Sequence, residues 1–501
     1  MVFSSPIFVF LFLPLGLLLH AVLPKGARNL MLLAGSLLFF YWGEQVYTLL
    51  MLVSIGANWA FGAWVHRVRD DARSAKRVIA YAVIVNLALL GFFKYADFVG
   101  ETLSTLLMAL GALDAPLPRP GSLFGTSAFA RDYILTATGD VRLPIGISFF
   151  TFQAMSYVID VYRKEGEVQR NPFDFALYVA FFPQLIAGPI VRYRDVDQQI
   201  KERFVDRAKF ALGIRRFVVG LAKKALIADT LALPADKIFA LLPAERSVEL
   251  AWLGIVCYAL HLYFDFSGYS DMAIGMGKMF GFDFLENFDY PFISRSVTEF
   301  WKRWHISLST WFRDYVYLPL GGNRKGTART YFNLVAIFAL CGMWHGAGWN
   351  YLIFGLFQGL FLVAERLFFT DRTSGGGWWR HVYVLLVFVV TWVIFRSANM
   401  TAALEYIGAL FGGTELVNPA RPAAMYLNPL VATMLVVGVA GSIPWIPALA
   451  AAKQRWAAAG ERRSLVAFLD WGSTFALLAL FVLSAMQITA STYSPFVYFR
   501  F

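Results

Sequence analysis

Cysteine is nearly missing: Cys257 and Cys341 are the only two in 501 residues. Both lie in apolar surroundings, which leaves no disulfide framework and no paired-cysteine metal or redox motif. Charge is also sparse, with Asp, Glu, Lys and Arg at 15% against about 25% in ordinary soluble domains. No GxSxG elbow, Walker lysine loop or GxGxxG follows a plausible strand, and no HExxH pair occurs, so the usual hydrolase, kinase, dinucleotide and zinc-protease readings fall away. What the chain has instead is apolar surface, 58% hydrophobic and 17% aromatic residues, the composition of a membrane-embedded protein.

Apolar runs at Ile7–Leu23, Val46–Val65, Ile79–Phe93, Tyr331–Met343, Val382–Phe395, Met425–Val439 and Leu465–Met486 approach the roughly 20 residues that cross about 30 Å of hydrocarbon. The expectation is about ten to twelve spans in total, with no room for a large soluble domain. The first run has no Lys or Arg before it and no small-residue cleavage site after it, so it reads as a retained helix rather than a secretion signal.

The net charge of +11 does not point to nucleic acid, because the basic residues cluster in short loops between apolar runs, the mark of the cytoplasmic side. "HRVRDDARSAKR" (66–77) carries five Lys or Arg, Arg192 to Lys224 carries ten against four Asp or Glu, and "GGNRKGTAR" (321–329) is a third such loop. Counting from these anchors places Lys25–Arg28 inside and Gly43–Gln45 outside, with the amino terminus outside. The Pro/Gly-rich "DAPLPRPGS" (114–122) then falls in an external loop. "DFALYVAFFPQLIAGPIVRYR" (174–194) is apolar yet flanked by basic residues and interrupted by Pro183, Gly188 and Pro189. A re-entrant element entering from the cytoplasm fits it, and broken backbone at that depth implies a cavity, expected here to open toward the cytoplasm. Residues 192–224 read as a basic amphipathic helix on that face, serving either lipid anchoring or an anionic substrate. From about 372, through "SGGGWW" (374–379), the chain looks like scaffold.

Polar residues interrupting apolar runs are the place to look for chemistry. His261 and Asp265, at i and i+4, share a helical face, but two ligands do not complete a metal site; a polar network bracing a bend at Gly268 is the preferred reading, and no metal is expected. Around His305 stand Lys302, Arg303 and Arg313, interleaved with Trp301, Trp304, Trp311 and Tyr315. They form either an interfacial belt with snorkelling cations or the mouth of a site in which guanidinium groups bind phosphate and aromatic faces stack an adenine. His345, within "CGMWHGAGWN" (341–350), is either a packed neutral imidazole or a general base, with Gly342, Gly346 and Gly348 permitting close approach. Cys341 beside it reads as a small buried residue. Acyl transfer from a thioester to an alcohol needs a base, an oxyanion donor and exclusion of water, and a membrane cavity holding one or two histidines supplies these.

"FDFSGYSDMAIG" (264–275), "NFDYPFISRSVTEFWKRWHISLSTWFRDYVYLPLGGNR" (287–324) and "GMWHGAGWNYLIFG" (342–355) resemble the membrane-bound O-acyltransferase family. The opening "MVFSSPIFVFLFLPLG", "LPIGISFFTFQAMSYVIDVYR" (143–163) and "FPQLIAGPIVRYRD" are similar to its bacterial alginate O-acetyltransferase branch, the AlgI type. The resemblance implies an all-α polytopic fold, with a core of about ten to twelve transmembrane helices plus re-entrant helices forming a central funnel. It places this core over 1–370, with further transmembrane helices over 371–501 packing on it, in a bacterial inner membrane.

It implies His345 as the catalytic residue and His305 as the second signature position. Arg303, Arg313 and Arg324, with Trp304 and Tyr315, would hold the donor, acetyl-CoA, which is a substrate and not a tightly bound cofactor. Acetyl would pass across the membrane to periplasmic acetyltransferase partners or directly to a polysaccharide, alginate first. A D-alanyl transferase of the same superfamily and a non-enzymatic polysaccharide or lipid-carrier transporter are the alternatives; the absence of internal repeats weighs against the transporter.

Overall fold

The computed structural model describes residues 2–125, 127–369, 377–413 and 422–490. Among these residues there are helices and two isolated bridge pairs but no strand, as the all-α reading requires. Ser374 to Gly376 of the Gly/Trp loop lie outside the described residues.

The amino-terminal half runs α1 (Leu13–Val22), α2 (Lys25–Glu44), α3 (Tyr47–Val68), α4 (Ala72–Ala109), α5 (Ile147–Arg163), α6 (Pro172–Ala180), α7 (Phe182–Leu185) and α8 (Tyr193–Lys201). Local sequence sets several of the starts. Asp71 caps α4 by accepting from the Arg73 amide, and Asn171 caps α6 with Pro172 at the first helical position, where its missing N–H costs nothing. The turn between α2 and α3 passes through Gln45 at φ 35°. At 38 residues, α4 is roughly 57 Å long, well beyond a bilayer core, and it carries the chain into the 110–140 loop.

Next come α9 (Arg207–Ala222) and α10 (Asp229–Phe239), joined without a break by a π-helical turn at Lys223–Ala228. They pack along α11 (Val248–Met279), whose start is capped by Ser247. A Cβ on Gly213 would stand 2.7 Å from the Gly275 carbonyl oxygen, and one on Gly220 would stand 2.6 Å from that of Gly268, so the two backbones meet where small residues allow it. This corrects the reading of 192–224 as one surface helix: α8 ends at Lys201, and 207–222 is the first part of a long hairpin with α11. The helix break expected at Gly268 is not there: α11 continues unbroken through it, and Gly268 packs on Lys223 and Lys224 of the facing π-turn.

The remaining helices are α12 (Val297–Arg303), α13 (Ile306–Phe312), α14 (Thr327–His345), α15 (Trp349–Phe368), α16 (Trp379–Arg396), α17 (Met400–Leu410), α18 (Pro429–Gly441), α19 (Trp445–Ala458) and α20 (Arg463–Ala490). Six of the described helices, α3, α4, α11, α15, α16 and α20, are long and apolar enough to cross a membrane, and up to seven if the bent pair α18–α19 is one span. With 20 and 19 residues, α2 and α14 also approach bilayer length at about 1.5 Å per residue.

The two ends of the bundle differ. At one, Asn29 donates to Asp174 (2.8 Å) and to the Ile200 carbonyl (3.0 Å), and Lys209 pairs with Asp283; this is the basic end. At the other, the Tyr47 hydroxyl donates to the Arg142 carbonyl (2.9 Å), and the Val141 amide donates to Asp97 (2.9 Å). Two apolar cores fill the interior. One includes Phe3, Phe39, Phe152, Phe182, Trp311 and Trp344, and the other includes Tyr258, Trp301, Trp304, Phe388, Trp392 and Phe395.

Candidate active site

His345 is the last residue of α14, and the glycines after it turn the chain into α15. The hairpin is held backbone to backbone. A Cβ on Gly342 would come within 2.2 Å of the Tyr351 carbonyl oxygen, and one on Gly355 within 2.1 Å of that of Phe338. Gly346 likewise leaves room only for the Tyr351 ring. The glycines of "CGMWHGAGWN" are therefore required by packing at the point where the imidazole emerges.

His305 reaches the same place differently. It begins α13 with left-handed backbone, φ 46° and ψ 53°, a conformation that is rare for a residue with a Cβ and persists only where surroundings impose it. Here they do so by an antiparallel bridge between Phe288 and Trp304. The Asp289 amide donates to the Arg303 carbonyl (2.9 Å) and the Ile306 amide to the Asn287 carbonyl (3.0 Å). Asn287 is fixed in turn, donating to Ser270 (3.1 Å) and accepting from the Ser307 hydroxyl (2.9 Å).

The two imidazoles lie 6.4 Å apart, centroid to centroid. Trp344 flanks both, at 5.9 Å from His305 and 5.0 Å from His345. Phe266 packs edge-on against His305 at 4.6 Å, and Phe354 and Phe395 pack against His345 at 6.0 and 5.5 Å. Since Trp344 belongs to the first core and Phe354 and Phe395 to the second, the histidines occupy the seam between the two. Phe395 comes from α16, so residues beyond 370, read from the sequence as scaffold, contribute directly to the wall around His345.

A cavity of about 410 Å³ opens beside His345, lined also by Glu44, Lys94, Arg142, Trp344, Ile186 and residues 143–149. Glu44 ends α2 and Arg142 precedes α5 at the end opposite the basic one. The cavity therefore faces away from the basic end, the reverse of the expectation drawn from the broken 174–194 segment. That segment is broken, between α6 and α7, but what it gives the cavity is its inner wall, Ile186. His305 is fully buried behind His345 and is not among the lining residues.

The residues expected to hold a donor are dispersed. Arg303 is engaged by Asp289 (2.8 Å) and Glu299 (3.0 Å), and Trp304 is buried in the second core. Tyr315 donates to Asp160 at 2.7 Å within the first core. Arg313, largely exposed, belongs to a cationic group with Arg192 and Arg194, all three on Asp314 at 2.5–2.7 Å. Arg324 is exposed in the turn before α14. Burial pushes the Asp314 carboxyl up, but the hydrogen bond from Arg313 and the charges of Arg313, Arg192 and Arg194 outweigh it, holding Asp314 below the ordinary carboxylate range.

His261 and Asp265 have partners of other kinds. His261 Nδ1 is 2.9 Å from the Ala228 carbonyl oxygen, and Asp265 pairs with the buried Lys224 at 2.7 Å. Among the described residues no three His, Cys, Asp or Glu side chains gather as a metal site would require. Cys341 is buried.

Glu44 and Lys94 were missed by sequence reasoning. Lys94 donates to the Trp344 carbonyl and sits 5.9 Å from the Trp344 ring centroid. Its signal was present, since it interrupts an apolar stretch that α4 carries on to Ala109. Glu44 gave no comparable signal, because it stands at a helix end where a carboxylate is ordinary.

The model of the membrane-bound O-acyltransferase family matches 164–404. A "probable alginate O-acetylase AlgI" of Pseudomonas putida is 41% identical over 516 residues, covering 100% of both chains. A peptidoglycan O-acetyltransferase of Helicobacter pylori is 31% identical over 100% of this chain and 98% of its own. A teichoic acid D-alanyltransferase of Bacillus subtilis is 32% identical over 45% of this chain and 59% of its own.

Proposed function

The chain belongs to the membrane-bound O-acyltransferase family and is a multi-pass acyltransferase, and from that premise we propose that it O-acetylates an exopolysaccharide, alginate first. The donor is cytoplasmic acetyl-CoA, the membrane is the bacterial inner membrane, and the basic end faces the cytoplasm, as Lys/Arg bias directs. Acetyl leaves on the opposite side, to a periplasmic acetyltransferase partner or directly to the polymer. The observation that carries this reading is the position of His345, a buried imidazole at the inner end of a cavity facing away from the basic end.

His345 takes the proton of an acceptor hydroxyl as its oxygen bonds to the thioester carbonyl carbon. The carbon–sulfur bond breaks, and the imidazolium returns the proton to the departing CoA thiolate. His305, behind His345, orients the thioester or donates to the developing oxyanion. Arg313 and Arg324 at the basic end, with Arg192 and Arg194, suit the CoA phosphates. Arg303 adds to that field, whereas Trp304 and Tyr315, buried in separate cores, offer the donor no common aromatic surface. Acetyl is favoured over D-alanyl because the D-alanyltransferase likeness spans less than half of the chain.

The test is transfer of labelled acetyl from acetyl-CoA by the purified protein in nanodiscs. His345→Ala is expected to fold and to lose transfer by about 10²–10⁴-fold, the usual contribution of a general base. Unchanged turnover would overturn the assignment.

A further inference from the structure

The end of α14 is closed off in an unusual way. An α-helix leaves its last four carbonyls without intrahelical partners, and a left-handed glycine just beyond the end commonly ties them off. Glycines follow His345, but Gly346 is extended (φ −166°, ψ 159°) and so is Gly348 (φ −172°, ψ 153°). The carbonyls are met instead from α4, about 250 residues away in the chain: Lys94 Nζ donates to the Trp344 carbonyl and the Tyr95 hydroxyl to the Met343 carbonyl. The two residues before His345 are thus held by two adjacent side chains, and one of these is a cation at the negative end of the helix dipole. The backbone contact with α15 anchors α14 at Gly342; the last turn, which carries the imidazole, is anchored by α4.

The same stretch of α4 grips the neighbouring walls. Phe98 packs edge-on against Trp349, the first residue of α15, at 5.6 Å, and Asp97 accepts from the Val141 amide at 2.9 Å, directly before the cavity-lining residues 142–149. The Lys94 ammonium also lies 5.9 Å from the centroid of the Trp344 ring, the ring that flanks both imidazoles. A lysine in an apolar helix is costly and is retained where it has a task, and the transfer mechanism gives it none. We propose that Lys94 is a positioning residue for the transfer: by holding the Trp344 carbonyl and ring, with Tyr95 on Met343, it fixes the direction in which the His345 imidazole leaves α14. It acts through Trp344 and the helix end rather than on the reacting groups. The inference rests on His345 as the base of the proposed acetyl transfer and adds to it the group that aims the base.

Lys94→Met removes the donor and the charge at similar length, and Lys94→Arg keeps both. Transfer from labelled acetyl-CoA to a short uronate oligosaccharide, by purified protein in nanodiscs, reads them. Lys94→Met is expected to lower kcat by about 10–10²-fold, the cost of a misplaced catalytic group, while KM for acetyl-CoA stays within about twofold of wild type and melting temperature is unchanged. Lys94→Arg is expected to bring kcat back to within about threefold of wild type. In a His345→Ala background, Lys94→Met should cost less than about twofold more in a single-turnover assay, since residues acting as a unit are not additive. Tyr95→Phe, which loses one hydroxyl and keeps the ring, is expected to lower kcat about threefold or more at unchanged KM, and it carries the test should Lys94→Met fail to fold. Unchanged kcat in either variant, no recovery with Lys94→Arg, or a full further loss in the His345→Ala background would overturn the positioning role. So would a fall in kcat that tracks a lowered melting temperature or lost acetyl-CoA affinity, which would make Lys94 a structural residue. Wild-type turnover by His345→Ala alone would instead remove the base from the proposed function, and this inference with it.

Discussion

His305 and His345 stand 6.4 Å apart although they arrive from separate helices, one at the left-handed start of α13 and the other at the last residue of α14. If they serve one reaction, their deletions do not multiply. The double variant His305→Ala/His345→Ala is expected to retain acetyl transfer within about threefold of His345→Ala alone, the behaviour of residues acting as a unit. A further hundredfold loss in a single-turnover assay would show two independent contributions.

The α14–α15 contact predicts which glycines matter. Gly355→Ala, which drives a Cβ to 2.1 Å from the Phe338 carbonyl oxygen, is expected to destabilise by about 1–3 kcal/mol or more, as overpacking does. Gly56→Ala, with nothing within 4 Å of the new Cβ, is the neutral control. Thermal unfolding in detergent reads both.

A buried ion pair makes a prediction of opposite sign for one change and for two. Lys224 and Asp265, 2% and 0% exposed, meet at 2.7 Å between the π-turn and α11. Lys224→Met removes the cation that Asp265 shares with Asp229 (2.8 Å) and is expected to cost about 3–5 kcal/mol. Adding Asp265→Leu, which removes the fully buried carboxylate of the two, is expected to restore part of that stability, again read by thermal unfolding.

Asp314 gives a pH dependence. Arg313, Arg192 and Arg194 hold its folded-state carboxyl below the ordinary value of 3.8, so it contributes stability above that value and loses it as pH falls through the folded-state value. Asp314→Asn is therefore expected to lower the melting temperature at neutral pH and to leave it less dependent on acid below about pH 4. An unchanged acid slope would exclude the cluster as its source.

Much of the candidate site was legible because its two histidines lie in contiguous motifs. His305 and His345 each interrupt an apolar run, and the family resemblance covers both stretches. The hairpin of α9 with α11 was not legible, and the reason is electrostatic. Arg216, Lys223 and Lys224 read as surface charges until Asp271 and Asp265, some fifty residues away in the chain, are seen to pair with them at 2.7 Å. The direction of the cavity was misread for a related reason. Pro183, Gly188 and Pro189 signal broken backbone at depth but not which side of the break is hollow, and that is set by Glu44 and the 142–149 segment, which the sequence places far away. The donor residues proposed from 303–324 are near one another in sequence, yet the fold sends Trp304 into one core and Tyr315 into the other, because the left-handed backbone of His305 interrupts the helix between α12 and α13.

The backbone contact between α14 and α15 has a mechanical consequence. Side chains can swing between rotamers, but carbonyls and α-carbons locked at van der Waals distance cannot slide without unseating a whole helix. The imidazole at the tip of that hairpin is thus a fixed datum for the molecule. On the role proposed for His345, alignment is achieved by what approaches it from either side, and the hairpin serves as a stationary anvil rather than a hinge.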